Sequence, residues 1–241
     1  GVFVFSTYHM WLAAAVSGVL ALGAILNWLW TGTAMIPEKR EKDIGLGLAA
    51  PLYMSGPRSV GWWAMFITMI GDMAAFLSLV FGYYFYWTIH PDFPPEGAAG
   101  QAVGWFLLAF ALLMGSWLLT TLSRRLLSAG GAVAFPLLLA AAIVLAVLGL
   151  AALIYAPRAA GLEPTSHVYP ATVWILVIWA AVHAGAGVIM QLYCFARFAF
   201  RKLTPEYDID IWNVSLFWHF VAVTMVVTIA TIVGFPYVAG G

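Results

Sequence analysis

The chain has 241 residues, 64% of them hydrophobic and 8% charged, with a formal net charge of zero. That balance excludes a soluble domain, leaves no basic surface for nucleic acid, and leaves no room for a separate nucleotide-binding module beside spanning segments. The expected fold is all-α, a polytopic transmembrane bundle of six helices. A single cysteine, Cys194, excludes an internal disulfide.

Residues 1–5 carry neither an initiator Met nor a basic region with a cleavage site, so no secretory signal is read, and the chain is expected to continue a longer or processed polypeptide. Six apolar segments follow, at about residues 8–30, 59–89, 101–122, 132–156, 171–196 and 212–236, each long enough to span. Pro and Gly punctuate the connections: Pro37, Pro51 and Pro57 in the first, Pro91, Pro94 and Pro95 in the second, Gly130 and Gly131 in the third, Pro157 and Pro164 in the fourth. The mixed run at residues 38–43 reads as a solvated loop. Aromatic residues collect at segment ends, among them Trp62, Trp63, Tyr83, Tyr84, Tyr86 and Trp87, and read as interface belts. Two units are expected, residues 1–50 with one helix and a charged connection, and residues 51–241 with the other five helices.

Nine of the ten basic residues, Lys39, Arg40, Lys42, Arg58, Arg124, Arg125, Arg197, Arg201 and Lys202, fall in or beside odd-numbered connections, against Arg158 alone on the other side. The positive-inside rule then puts those connections in the cytoplasm and both termini outside.

Residues 59–90 hold one carboxylate, Asp72, in a long apolar run. Thirteen helical steps from Ser59 place it roughly 20 Å along, near the middle of a ~30 Å hydrocarbon layer. Ionising an acid there costs several kcal/mol unless a partner or water is supplied, so the carboxyl should be neutral or face protein. Two roles fit: a proton-linked or lipid-contacting acid, or a protonated carboxyl that bonds a neighbouring helix for packing.

The histidines are His9, His90, His167, His183 and His219. None pairs with another at i+3 or i+4 and there is no second cysteine, so no metal box is visible. Haem between His183 and His219 is disfavoured by depth, because counting from Arg197 and Trp212 puts the two at ~21 Å and ~10 Å from the same membrane face. Ala180, Ala184 and Gly187 form a small-residue stripe that lets a neighbouring helix approach closely. Asp208 and Asp210 are expected to begin or cap the last helix. The sequon at Asn213, Val214 and Ser215 reads as accidental, and no nucleophilic triad, phosphate loop or carboxylate pair is present.

Three stretches then read together in order: Gly56-Pro57-Arg58-Ser59 with GWWAMFITMIGDMAAFLSLVFGYYFYW, VHAGAGVIMQLYCFAR, and LTPEYDIDIWNVSLFWHFVAV. They resemble subunit III of haem-copper terminal oxidases over roughly residues 51–238, with RS-x-GWW and Trp218-His219-Phe220 the more specific parts. The five later segments look like the short form of that subunit. The first segment resembles the helix preceding it in fused subunit I/III polypeptides.

The resemblance implies a non-catalytic subunit of a cytochrome c oxidase in a bacterial inner membrane, in aerobic electron transport that reduces oxygen to water. Its partners would be subunits I and II, which carry the haem and copper, with a respiratory supercomplex as a further association. It would support proton uptake and hold phospholipid in a cleft, with no redox centre of its own. Asp72 would stand where the family usually has Glu, His183 and His219 would match its helix histidines, and Arg58 would meet a lipid phosphate. The second and third segments would splay from the last three to form the cleft. Ala180 and Ala222 depart from the pattern, which often has His and Asp there, and this shifts the expectation toward a structural role. The rival readings are a quinol oxidase subunit, a nitric oxide reductase accessory protein, a membrane cytochrome, and a stand-alone proton-coupled transporter using Asp72.

Overall fold

The structure, a computed structural model, describes residues 1–31, 41–52, 54–98, 100–131 and 133–239. Pro37, Glu38, Lys39 and Arg40 lie outside these residues. Contacts divide the chain into two units, Gly1–Leu52 and Tyr53–Gly241.

In the first unit a short helix α1 (Val2–Thr7) leads into α2 (Trp11–Trp30), which is apolar and exposed almost all round, with Ala14 buried. Part of the expected solvated loop is instead an antiparallel hairpin of β1 (Glu41–Gly45) and β2 (Leu48–Pro51), in which Lys42 faces Ala50 and Gly45 faces Leu48. Its strands lack the apolar/polar alternation by which a half-buried strand is recognised, and all their residues but the partly buried Ala50 are exposed.

The second unit holds five long helices: α3 (Val60–Ile89), α4 (Val103–Ser128), α5 (Ala134–Ala159), α6 (Val168–Ala199) and α7 (Ile209–Ile229), the last continuing through a π turn to Ala239. Local chemistry sets their ends. Ser59 caps α3 by accepting from the Trp62 amide at 3.0 Å, and Pro91 follows its C-cap residue His90. Helix α4 overruns the expected end at Leu122 by six residues and stops at Gly130, whose φ of 82° an L side chain resists. His167 caps α6, its Nδ1 accepting from the Tyr169 amide at 3.1 Å. Replacing His167 with alanine is expected to cost ~1 kcal/mol, read as a lower thermal midpoint in detergent.

Helices α4, α5, α6 and α7 pack in a ring, each on the next and α7 back on α4, while α3 docks along α6 and α7. A bilayer gives no hydrophobic drive between helices, so close contact depends on small residues. On α5, Ala142, Ala146, Gly149 and Ala156 are buried on one side, and a Cβ on Gly149 would come within 2.9 Å of Leu113 on α4. The stripe read on α6 does the same: Ala180, Ala184 and Gly187 are buried, and Gly187 lies against the Trp218 indole of α7.

Two expectations are corrected. Helix α4 does not stand with α3 against the rest, because it packs on α5 and α7; the opening is instead a groove between α3 and α7. Tyr83 is no belt residue: it is fully buried, with its ring 5.1 Å from Phe93 and 6.2 Å from Tyr169 at the end of the bundle away from Ser59.

Candidate functional site

Asp72 is the thirteenth residue of the 30-residue helix α3, and the helix register turns it toward α6. There its Oδ2 lies 3.7 Å from Nε2 of His183. The imidazole is held by its other nitrogen, since Nδ1 is 2.8 Å from the Trp179 carbonyl oxygen. A carbonyl can only accept, so Nδ1 carries a proton and Nε2 is the atom presented to the acid. The separation is longer than a direct hydrogen bond, so acid and base face each other without directly sharing a proton. Trp179 stacks on His183 at 4.4 Å and on Phe76 at 6.3 Å, which walls the base. The two partners differ in exposure: the His183 side chain is 12% exposed and that of Asp72 41%.

His219 is on the other side of α7. Its Nδ1 accepts from the Trp117 indole N–H of α4 at 2.9 Å, which leaves the proton of a neutral ring on Nε2. The ring borders the α3/α7 groove, about 250 Å³, lined also by Phe66, Met69, Met73, Leu216 and Phe220. The depth argument against a shared ligand pair is corrected in part. His183 lies 5.5 Å from the ring of Phe220, the neighbour of His219, so the two histidines are close in level. Helix α6 has 32 residues, ~48 Å of helix against a ~30 Å layer, so counting residues along it overstates depth. Their polar contacts differ: His183 lies beside Asp72 of α3, whereas His219 bonds Trp117 of α4 and also borders the groove against α3. Among the described residues no three His, Cys, Asp or Glu side chains converge as a metal cluster.

At the end of the bundle where α3 starts, Asp208 organises the polar groups. It is 4% exposed, and its carboxylate accepts from the Ser55 hydroxyl, from the Trp212 indole N–H at 3.0 Å and from the Ser128 hydroxyl at 3.4 Å. As expected it begins α7, but its carboxylate ties three segments together rather than capping the helix backbone. The Trp212 indole packs under Gly56 on one side, and the Arg124 guanidinium sits 3.9 Å over its ring. Arg58, by contrast, is exposed at the end of the Gly56–Arg58 turn. Arg197 pairs with Asp210 at 2.6 Å.

Sequence reasoning missed three features. Gln191, fully buried on α6, donates to Ser116 and Thr120 of α4 at 3.1 and 2.7 Å across the ring. His90 and His167 meet edge to face at 4.9 Å at the far end, although 77 positions apart in sequence order, His90 to His167. Each accepts a backbone N–H at Nδ1, from Asp92 and Tyr169, so each presents an Nε2–H when neutral. Arg124, in sequence a topology signal alone, covers the Trp212 ring. The first two are long-range pairings; a lone Gln in the apolar run of α6 was the one local sign available.

Six helices among the described residues are long and apolar enough to cross a membrane. The fold is thus that of an all-α polytopic membrane protein. No protein-family model matches the chain, and no curated protein does.

Proposed function

We propose that this chain is a structural subunit of the subunit III type in a haem-copper respiratory oxidase, seated in a bacterial inner membrane with both termini outside and packed beside the catalytic subunit. The observation that carries this reading is the Asp72 carboxyl, 41% exposed in the middle of an apolar helix and supported on one side by His183. A polar group left that open at mid-span is costly against acyl chains, and a neighbouring chain with a hydrogen-bonding group removes the cost. The three resembling stretches supply the identity of that neighbour, the haem- and copper-bearing subunit I, with subunit II beyond it.

Asp72 and His183 form an isolated pair in this reading, because the positions at which the family often has polar residues are the buried Ala180 and Ala222. The pair therefore serves assembly rather than a proton relay. A phospholipid tail fits the α3/α7 groove, and Arg58 together with Arg124, near Trp212 one turn before Leu216, supplies cations for its phosphate. Cytochrome c is the electron donor favoured by the resemblance; a quinol oxidase or nitric oxide reductase complex would use the same surface.

The test is purification of the tagged full chain from its own membranes in mild detergent, with haem absorbance and identification of the accompanying chains. A haem-bearing catalytic chain is expected to accompany the native protein and the Asp72→Asn variant, with turnover nearly unchanged in the latter. Asp72→Leu, which removes the polar group, should lower recovery of the complex. A haem-free preparation of this chain alone would overturn the reading. A transporter reading draws on the same acid–base pair, and proton-coupled uptake by vesicles containing only this chain would favour it.

A further inference from the structure

The β1–β2 hairpin carries its charges on β1 at the base, opposite Ala49, Ala50 and Pro51 of β2, and its large apolar side chains at the tip. Glu41, Lys42 and Asp43 stand exposed at the base, while Ile44, Leu46 and Leu48 at the turn are 61%, 102% and 60% exposed. Leu46 is also held at φ 57°, between Gly45 at φ 92° and Gly47 at φ 74°. The Asp43 carboxylate receives the Gly45 amide at 2.8 Å and fixes the start of the turn. Left-handed positions in tight hairpins ordinarily take Gly, Asn or Asp, whose side chains either vanish or bond locally. A leucine there is strained and fully open to water, and water compensates neither.

Chain geometry keeps this tip near a bilayer. Thr31, just after the span α2, is ten residues before Glu41, and Ser59, the cap of the span α3, is eight residues after Pro51. At ~3.3–3.6 Å per residue neither connection lets the hairpin base stray more than about 35 Å from a membrane-spanning helix. Tethering of this kind raises the effective concentration of lipid at the tip, which favours insertion of its apolar side chains. The charges of residues 38–43 are three acidic and three basic, so long-range attraction to anionic headgroups contributes little.

We propose that the hairpin is an interfacial finger whose Ile44, Leu46 and Leu48 tip enters the boundary between lipid headgroups and acyl chains, with Glu41 to Asp43 left in the aqueous layer. Insertion follows apolar surface rather than charge, and this inference is independent of the oxidase reading.

The full chain, reconstituted in phosphatidylcholine vesicles, carries an environment-sensitive fluorophore on Leu46→Cys, with Lys42→Cys as the base control. Cys194 is fully buried, so the unsubstituted chain sets the labelling background. The expected result is blue-shifted emission at position 46 relative to 42, quenched by lipid spin-labelled near the glycerol end of the chain, shielded from aqueous iodide, and unchanged by salt. In a second variant, Leu46→Asn, which suits the left-handed turn, combined with Ile44→Ser, the lipid-dependent shielding of a label on Leu48→Cys should fall. Iodide quenching at position 46 without lipid quenching would overturn the proposal. So would shielding that appears only when other chains are bound, which would assign the tip to a protein partner.

Discussion

Asp208→Ala is expected to destabilise the five-helix unit by ~3 kcal/mol, because each hydrogen bond to a charged group contributes ~1.5–3 kcal/mol and water at the helix ends replaces part of what is lost. The carboxylate receives Ser55 from the segment before α3, Ser128 from the last turn of α4, and Trp212 from the first turn of α7. Its removal strands the indole N–H, 4 residues along the same helix, and frees the ring on which Arg124 rests. Asp208→Asn should lose less, since one amide oxygen still accepts while the amide nitrogen faces donors. Thermal unfolding in detergent, followed by tryptophan fluorescence, should rank native above Asn above Ala. An alanine variant as stable as the native chain would show that water already satisfies these donors.

Gly187→Val is expected to be equally damaging for the opposite reason. A Cβ at this position would lie 3.0 Å from Cε2 and 3.1 Å from Nε1 of Trp218, an indole with no exposed surface and no room to retreat. Overpacking of this kind costs typically ~1–3 kcal/mol, with alanine near the lower limit and valine, which adds two more methyl groups, near the upper. Helices α6 and α7 would have to part at the level of His183, whose ring is 5.5 Å from Phe220. A double variant, Gly187→Ala with Trp218→Phe, should recover part of the loss, because contacting residues couple. Additive losses in that pair would place the strain elsewhere.

The candidate site was half legible. Asp72 stood out because a lone carboxylate in a run of apolar residues must answer for its charge wherever the helix sits. His183 was visible as a residue but not as its partner, since nothing local states that α3 docks on α6 in a register that aligns the two. Depth counting failed for a related reason: it treated a 32-residue helix as upright, when its length exceeds the layer it crosses. The hairpin escaped notice because Ile44, Gly45, Leu46, Gly47 and Leu48 alternate apolar residues with glycine rather than with polar residues, and that pattern reads as linker.

Span number and span ends were properties of the chain itself. A stretch of ~20 apolar residues must cross or be buried whatever its neighbours do, and Ser59, Gly130 and His167 end helices through their own backbone or the next few amides. Which faces meet was decided only in three dimensions. A soluble helix announces its buried side by polarity, but in a bilayer the outer surface is as apolar as the core, so α3 to α7 carry no stripe of contrast to read. Small residues and isolated polar groups are the remaining marks, and Gln191, Asp208 and His183 acquire partners only when the ring of α4 to α7 closes and α3 docks on it.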